Sequence, residues 1–349
     1  MIYKVIGLMS GTSLDGLDLA FCEFNNDNER WRYQIRCAET IPYSPHWRTV
    51  LTNLESGSAF DFVTADIEYG HHLGRLTDDF ITRNNLVPDF IASHGHTIFH
   101  QPDRRITSQI GRGSAIAAET GLHVVCDFRS LDVALGGQGA PLVPIGDLLL
   151  FNGFDFCLNI GGFANISHQV GDKRIAYDIC PANIVMNRLA MEMGYDYDPG
   201  GKLAAGGTIN QKLLDDLNLL PYYAKTPPKS LGKEWVLENI FPLLKQSSQP
   251  VADKLTTVCE HIAMQVAAAT NLQTPAKILI TGGGAFNDFL VSRIRHHSTH
   301  QLIIPDTLTI NFKEALIFAF LGVLRWRNET NCLPSVTGAS KPSAGGAIY

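Results

Sequence analysis

The 349-residue sequence lacks several features that would place it in a special class of protein. It has no block of lysine or arginine, and its formal net charge is −6, which argues against nucleic acid as the main partner. Its longest apolar run, residues 315–324, is about half of a membrane span. Its seven cysteines are scattered and never spaced CxxC, which favours reduced thiols over disulfides or a zinc site. We therefore expect a soluble, cytoplasmic protein, and residues 1–4 lead into a strand pattern without a signal peptide.

The sequence does contain enough apolar residues, 45% of the chain, to form a large core. Because a single core stops growing at about 250–300 residues, we predict two domains. Short apolar runs alternate with helical patterns, which is typical of α/β proteins. The patterns predict strands over residues 3–9, 18–24, 90–93, 123–126, 156–160 and 277–280, and helices over 62–84, 183–193, 253–270 and 312–327. In the first of these helices, Ile67, Leu73, Leu76 and Phe80 are expected to face the core.

Glycine-rich turns follow several of these strands. Residues 6–16 and 158–167 each have the pattern of a strand, a turn and a second strand, and residues 280–287 contain a third turn. Glycine turns end strands in many α/β proteins, but the repeated hairpin also suggests two similar halves that face each other across a cleft. Backbone N–H groups in such turns can bind phosphate, because no Cβ blocks its approach.

The first turn adds further groups that suit a nucleotide site. These are the hydroxyls of Ser10, Thr12 and Ser13 and the carboxylates of Asp15 and Asp18, which could hold Mg²⁺ through water. Neither a Walker A loop nor a GxGxxG motif is present. Two hairpins and a triple-glycine loop for adenosine are similar to the nucleotide site of the two-domain actin/Hsp70/hexokinase-like (ribonuclease H-like) α/β fold, which lies in the cleft between the domains. We predict an N-terminal domain of residues 1–130 plus about 325–349, and a central domain of residues 131–324.

Ordered motifs extend over nearly the whole chain. They are GLMSGTSLDGLD (7–18), SHGHT (93–97), DFR (127–129), DVALGGQGAPLVP (132–144), LNIGGFANIS (158–167), PPKSLGKE (227–234), TGGGAFN (281–287) and LPSVTGA (333–339). Together they resemble the anhydro-N-acetylmuramic acid kinase family. The resemblance implies an ATP- and Mg²⁺-dependent enzyme, usually a homodimer, that acts on an amino sugar in cell-wall peptidoglycan recycling.

The resemblance also implies the reaction and the residues that perform it. Water opens the anhydro bridge of 1,6-anhydro-N-acetylmuramic acid at C1, and the released O6 takes the γ-phosphoryl group, giving N-acetylmuramic acid 6-phosphate and ADP. The family's catalytic aspartate lies in an Asp-x-Gly-Pro-Gly-Asn motif that matches residues 178–183, so Asp178 is the implied base for the water. The implied ATP-binding residues are Gly11, Thr12, Ser13, Leu14, Asp15, Gly16, Leu17, Asp18, Asn159, Gly161, Gly162, Gly282, Gly283 and Gly284. The implied substrate-binding residues are His94, Arg129, Asn183 and Glu314, and Asp15 and Asp18 are the implied metal-site residues, acting through water.

Some of these roles have structural alternatives. Arg129 could instead form an ion pair with Asp127 or Asp132, and Glu314 could instead be an acid that stabilises a helix N-terminus. The sequence also departs from the family motif, because Cys180 and Ala182 replace its two glycines, and Gly200 stands where the family tends to have an acid. These changes are compatible with a tolerated variant, a reshaped sugar pocket or a weakened enzyme. The alternatives for the whole protein are a kinase of another sugar and a non-catalytic ATP-binding protein.

Overall fold

The computed structural model describes residues 1–11, 14–27, 30–272 and 274–349. It divides into two compact units, of which unit 1 comprises Met1–Leu150 and Phe312–Tyr349 and unit 2 comprises Phe151–Asn311. Each unit contains one β-sheet with helices packed against it, and each is described by itself below.

The sheet of unit 1 begins with the predicted N-terminal strands. Its strands, numbered in chain order, are β1 (Ile2–Ser10), β2 (Gly16–Asp27), β3 (Arg30–Pro42), β4 (Phe90–Gln101), β5 (Ile106–Ile110), β6 (Val124–Cys126) and β12 (Ala347–Ile348). Strands β1, β2 and β3 form an antiparallel meander. Strand β4 is parallel to β1, and β6 is parallel to β4. Strands β5 and β12 are antiparallel to β4 and β6.

The helices of unit 1 cover this sheet. They are α1 (Pro45–Asn53), α2 (Ala59–Arg83), α3 (Gly113–Thr120), α4 (Ser130–Ala134), α5 (Val143–Leu150) and α13 (Pro334–Thr337). Helix α2 begins at a capping box, in which Ser58 Oγ accepts from the Asp61 N–H at 3.1 Å and the Asp61 carboxylate accepts from the Ser58 N–H at 2.9 Å. Tyr69 and Phe80 on this helix are completely buried. Ile67 is 38% exposed, so its predicted place in the core is wrong.

Unit 2 repeats the alternation of strands and helices. Its strands are β7 (Phe156–Ile160), β8 (Phe163–Val170), β9 (Lys173–Pro181), β10 (Lys277–Thr281) and β11 (Gln301–Ile303). Its helices are α6 (Asn183–Met191), α7 (Lys202–Ala205), α8 (Gln211–Asn218), α9 (Lys233–Gln246), α10 (Val251–Ala269) and α11 (Asp288–His297). Helix α12 (Thr307–Trp326) begins in unit 2 and continues in unit 1, with non-helical dihedral angles at Phe312.

The two sheets share one topology. In each, the first three strands form an antiparallel meander, and the next two strands are parallel to the first, giving the orders β3-β2-β1-β4-β6 and β9-β8-β7-β10-β11. This strand order is that of the ribonuclease H-like fold. The predicted actin/Hsp70/hexokinase-like class, with two similar α/β halves, is therefore confirmed.

The compact units divide at residues 150/151 and 311/312, whereas the sequence predicted boundaries at 130/131 and 324/325. The difference arises because α5 and most of α12 pack within unit 1. A Cβ on Gly7 of β1 would lie only 2.0 Å from the Ala315 carbonyl oxygen, and one on Gly146 of α5 would lie 2.7 Å from the Ile317 side chain. Helix α12 is long and apolar enough to cross a membrane, but 78% of its most apolar stretch is buried inside the protein, as expected of a core helix.

Candidate active site

The first glycine turn of the predicted phosphate site joins β1 to β2 in unit 1. Thr12 and Ser13 lie outside the described residues, so their contacts with ATP stay predictions. Leu14 has a φ of 59°, and its N–H donates to the Gly11 carbonyl at 3.3 Å. A Cβ on Gly16, the first residue of β2, would lie 2.4 Å from a backbone carbonyl oxygen of β3, so a larger residue does not fit there. The turn enters a strand, as the sequence predicted.

A buried hydrogen-bond network behind this turn converges on Ser10, the last residue of β1. Tyr43 and Tyr69 donate to Ser10 Oγ at 2.6 and 3.0 Å, and Ser10 Oγ lies 2.7 Å from His96 Nδ1. The two tyrosine hydroxyls also lie 2.6 Å apart, so the three hydroxyls and the imidazole form one connected network. Burial lowers the pKa of His96 to about 4, so the ring is neutral at pH 7. The Ser10 hydroxyl that was expected to face phosphate is instead held in the core, where it fixes the start of the turn.

Carboxylates gather on the other side of the turn. Asp18 in β2 accepts a hydrogen bond from Thr40 Oγ1 at 2.5 Å, Leu17 beside it is buried, and Asp15 is exposed. Burial raises the pKa of Asp18, the bond from Thr40 opposes this, and the charge of Asp15 raises the pKa further. The Glu314 side chain in α12 is solvent-accessible. Desolvation by the surrounding protein nevertheless raises the pKa of Glu314, and the negative charge of Asp18 raises it further. This concentration of negative charge suits a cation.

Glu314 lies close to the helix break at Phe312, whose φ is −115°. It therefore stands in the first turn of the second segment of α12, where an acid also interacts favourably with the helix dipole. This position is compatible with a contact to the sugar and with an acid that stabilises a helix N-terminus.

Arg129 is held by groups of unit 1 rather than by the carboxylates considered above. Its Nη1 donates to the Gly139 carbonyl at 2.6 Å, and its Nε and Nη2 lie 3.1 and 2.9 Å from His94 Nε2. Asp127 is bonded to the Ser130 side chain, and Asp132 accepts from the Gly139 N–H, so neither is the ion-pair partner of Arg129. Burial lowers the pKa of Arg129 to about 10 and that of His94 well below its ordinary value. A permanent cation therefore rests against a neutral imidazole.

The third glycine turn, in unit 2, packs tightly against the end of β7. Gly282 has φ 79° and ψ 167°, a conformation available to glycine alone. A Cβ there would lie 2.7 Å from both Asn159 Oδ1 and the Ile160 carbonyl oxygen, and one on Gly284 would lie 2.2 Å from the Ile160 side chain. The Asn183 amide donates to the same Ile160 carbonyl at 3.2 Å. These contacts bring Asn159, Asn183 and the triple-glycine loop together.

The second glycine turn joins β7 to β8 and is tied to the start of α6. The N–H groups of Asn183 and Ile184 donate to the carbonyls of Gly161 and Gly162 at 3.1 and 3.2 Å. No described atom lies within 4 Å of a Cβ built on Gly162, so this side of the turn is open. The predicted ATP-binding residues of unit 2 therefore share one end of its sheet.

A cavity of about 430 Å³ lies beside the third turn, entirely within unit 2. It is lined by Asn183, Met186, Asn187, Tyr197, Asp198, Gly200, Gly283, Phe286, Asn287 and Asn311. Its volume is in the range of small-molecule sites, and its walls combine aromatic rings with amide donors and acceptors. Gly200, the motif departure that the sequence associated with sugar specificity, lines this cavity beside Gly283.

Asp178 stands in β9 beside a β-bulge. The pairing of β8 with β9 shifts register so that Ile179 has no partner residue, which turns the strand locally. Asp178 Oδ2 accepts a hydrogen bond from the Leu231 N–H at 2.9 Å, and no described residue donates to Oδ1. Burial raises the pKa of Asp178, and the bond from Leu231 partly opposes the rise. A half-shielded carboxylate with one free oxygen is suited to accept a proton.

The residues that replace the motif glycines are buried in unit 2. Cys180 and Ala182 are completely buried, and neither has a positive φ. Ala182 has φ −129° and ψ −100°, so its backbone lies outside the regular helix and strand regions at the start of α6. Burial raises the pKa of the Cys180 thiol far above its ordinary value, so this cysteine packs in the core and is not a reactive thiol.

The chain is similar in sequence to proteins of one family. A sequence profile of the anhydro-N-acetylmuramic acid kinase family matches residues 3–349. The anhydro-N-acetylmuramic acid kinase of Photobacterium profundum is 34% identical, with 100% of this chain and 99% of that protein covered. That of Saccharophagus degradans is 35% identical, with coverage of 99% and 98%. A distant solved structure, the activator of a 2-hydroxyisocaproyl-CoA dehydratase from Clostridium difficile, is 12% identical with a TM-score of 0.46 and covers 93% of this chain and 97% of that one.

Proposed function

The chain belongs to the anhydro-N-acetylmuramic acid kinase family, and on that premise we propose that Asp178 is the general base of its reaction. The protein is a kinase that uses ATP and water to convert 1,6-anhydro-N-acetylmuramic acid into N-acetylmuramic acid 6-phosphate in peptidoglycan recycling. Water adds to C1, the C1–O6 bond breaks, and O6 forms a bond to the γ-phosphorus of ATP while ADP leaves. One proton of the water must be removed as it attacks.

The observation that carries the proposal is the environment of the Asp178 carboxylate. Oδ2 is held by the Leu231 N–H at 2.9 Å, which leaves Oδ1 to accept the proton of the water. Burial raises the pKa of Asp178, which makes the carboxylate a stronger base than an exposed aspartate.

The glycine turns are proposed to hold the phosphates of ATP through backbone N–H groups. The first turn would act through residues 11–18, and the second through Gly161 and Gly162, whose outer side is open. The cavity beside Gly283 is proposed to take the adenosine, with Tyr197 and Phe286 available for stacking on the base. Asn159 and Asn183 support both turns of unit 2 by the contacts described above.

The residues of unit 1 fit a magnesium ion that arrives with ATP. The described residues contain no group of three metal-ligating side chains. Mg²⁺ is commonly held by one or two carboxylates together with phosphate oxygens and water. Asp15 and Asp18 would supply these carboxylates through water, and their mutual repulsion would be relieved. Bound Mg²⁺ would offset the negative charge of the phosphates.

The sugar is proposed to be positioned by charged groups of unit 1. Arg129, fixed by His94 and Gly139, presents a rigid guanidinium that suits the lactyl carboxylate or a sugar hydroxyl. Glu314 is accessible and can accept hydrogen bonds from hydroxyl groups. The enzyme is further proposed to act as a cytoplasmic homodimer.

Comparison of two sugars tests the assignment against a kinase of another sugar. We expect ADP release to depend on 1,6-anhydro-N-acetylmuramic acid, with kcat/KM at least about tenfold lower for N-acetylmuramic acid, which lacks the bridge. The measurement is steady-state ADP formation with each sugar at saturating Mg·ATP. Equal kcat/KM values for the two sugars would indicate simple phosphorylation of a hydroxyl, and sugar-independent ADP release would reject both kinase assignments.

A further inference from the structure

The segment of residues 222–231 wraps around Asp178 by contacts that span more than forty positions of sequence. The Tyr222 hydroxyl donates to the Asp178 carbonyl at 2.6 Å. The Asp178 N–H donates to the Lys229 carbonyl at 3.2 Å, and the Leu231 N–H donates to Asp178 Oδ2 at 2.9 Å. The backbone N–H, the backbone carbonyl and the carboxylate of one residue are thus all engaged by one segment.

The segment is itself anchored to the core of unit 2. Tyr222 is 3% exposed, and its ring lies 5.4 Å from the ring of Trp235 in α9. The Lys229 ammonium lies 4.7 Å from the centre of the Tyr222 ring and 5.8 Å from that of Tyr177, the residue before Asp178. The contact with Tyr177 holds the segment against β9 next to Asp178. The hydrogen bond from this segment to the Asp178 carboxylate is therefore already in place in the free protein.

The bulge at Ile179 explains why an additional support is needed. An unpaired residue in β9 interrupts the ladder next to Asp178, so the strand pairing alone defines the direction of this side chain poorly. A carboxylate free to rotate would present either oxygen to the water. The bond from Leu231 fixes one oxygen and so determines which of the two faces outward.

We propose that residues 222–231 form a positioning clamp for Asp178, in which Tyr222 and the backbone N–H of Leu231 are the principal positioning groups. This inference rests on the proposed role of Asp178 as the base. The clamp acts through Asp178. It holds Oδ2, so that Oδ1 is the oxygen that accepts the proton of the water.

The pH dependence of kcat/KM for the anhydro sugar tests the clamp. The Leu231 N–H stabilises the ionised carboxylate, so its removal in Leu231→Pro is expected to raise the pKa of Asp178. The acid limb of the profile should then move to higher pH by about one unit, and activity below that limb should fall. Leu231→Ala keeps the N–H while it loses the side chain, and its limb should stay at the wild-type position. An unshifted limb in folded Leu231→Pro would overturn the clamp.

A second variant keeps the proposal testable if Leu231→Pro does not fold. Tyr222→Phe removes only the hydroxyl that holds the Asp178 carbonyl. We expect kcat to fall about three- to tenfold, while the KM for ATP is unchanged. An unchanged kcat would overturn the clamp. Asp178→Asn distinguishes the base assignment from the clamp. Full activity of Asp178→Asn would reject Asp178 as the base. Loss of activity in Asp178→Asn, together with wild-type kinetics of the Tyr222 and Leu231 variants, would reject only the clamp.

Discussion

Replacement of Asp178 by asparagine is expected to lower kcat by about 10²–10⁴-fold, the usual contribution of a general base. The amide has nearly the same size and keeps an oxygen that can accept from the Leu231 N–H, so the local packing is preserved. It has no basic oxygen that can take the proton of the water. The affinity for ATP should stay unchanged, because the glycine turns proposed to hold ATP are intact. The measurements are steady-state kinetics and calorimetric titration with an ATP analogue.

Asp155→Asn is the matched control for this substitution. Asp155 lies in the same unit, and its Oδ2 also accepts from a backbone N–H, that of Lys277, at 2.7 Å. It is exposed and belongs to none of the proposed site residues. We expect wild-type kcat for this variant. Equal kcat values for Asp178→Asn and the wild type would reject the base assignment.

Substitution of Gly282 by alanine is expected to weaken ATP binding at least tenfold and to lower the free energy of unfolding by about 1–3 kcal/mol. The backbone at Gly282 has φ 79° and ψ 167°, which strains any residue with a Cβ. The added methyl group would also lie 2.7 Å from Asn159 Oδ1 and from the Ile160 carbonyl oxygen. The turn must therefore move away from β7, and the proposed adenosine cavity changes shape. Calorimetric titration and denaturant unfolding measure the two effects.

Gly283→Ala is the control, since it adds the same methyl group one residue later. The new Cβ would meet only Asn183 Nδ2, at an ordinary distance of 3.5 Å, and Gly283 has no positive φ. Its stability should be close to that of the wild type, and any loss of ATP affinity should be smaller than in Gly282→Ala. Wild-type ATP affinity in Gly282→Ala would indicate that the nucleotide is bound elsewhere.

The sequence alone predicted strands at the positions of β1, β2, β4, β6, β7 and β10, but it did not predict β3, β5 or β11. Glycine and short apolar runs are local signals, and the predicted strand over residues 156–160 coincides with β7. The repeated hairpin correctly indicated two similar halves. The helix over 62–84 was placed well, but the exposed position of Ile67 depends on which neighbours cover α2, and that is a property of the tertiary structure.

Contacts between residues that are far apart in the sequence could not be predicted from the sequence. The network of Ser10 with His96 joins positions 86 residues apart, and the bond from Leu231 to Asp178 joins positions 53 apart. The Leu231 group is a backbone N–H, which carries no side-chain signal at all. A motif that contained Leu231 was visible in the sequence, but its contact with Asp178 depends on the fold.

The departures from the family motif illustrate the same limit. The loss of two glycines beside Asp178 was compatible with a tolerated variant, a reshaped sugar pocket or a weakened enzyme, and in the structure Cys180 and Ala182 are buried in the core without a positive φ. Gly200 was associated with the sugar, and the structure places it in the cavity beside the triple-glycine loop. The sequence shows which residue replaces another, but the effect of the replacement on the structure depends on burial and dihedral angles, which only the fold defines.

A single turnover in ¹⁸O-enriched water, quenched rapidly and analysed by mass spectrometry, tests most directly whether water opens the anhydro ring of the sugar that receives the phosphoryl group. The enzyme, Mg·ATP and 1,6-anhydro-N-acetylmuramic acid should give a sugar that is heavier by one phosphate group and one labelled water, with no label in ADP. A phosphorylated sugar that retains its anhydro bridge, or label in inorganic phosphate released from ATP, would contradict the account.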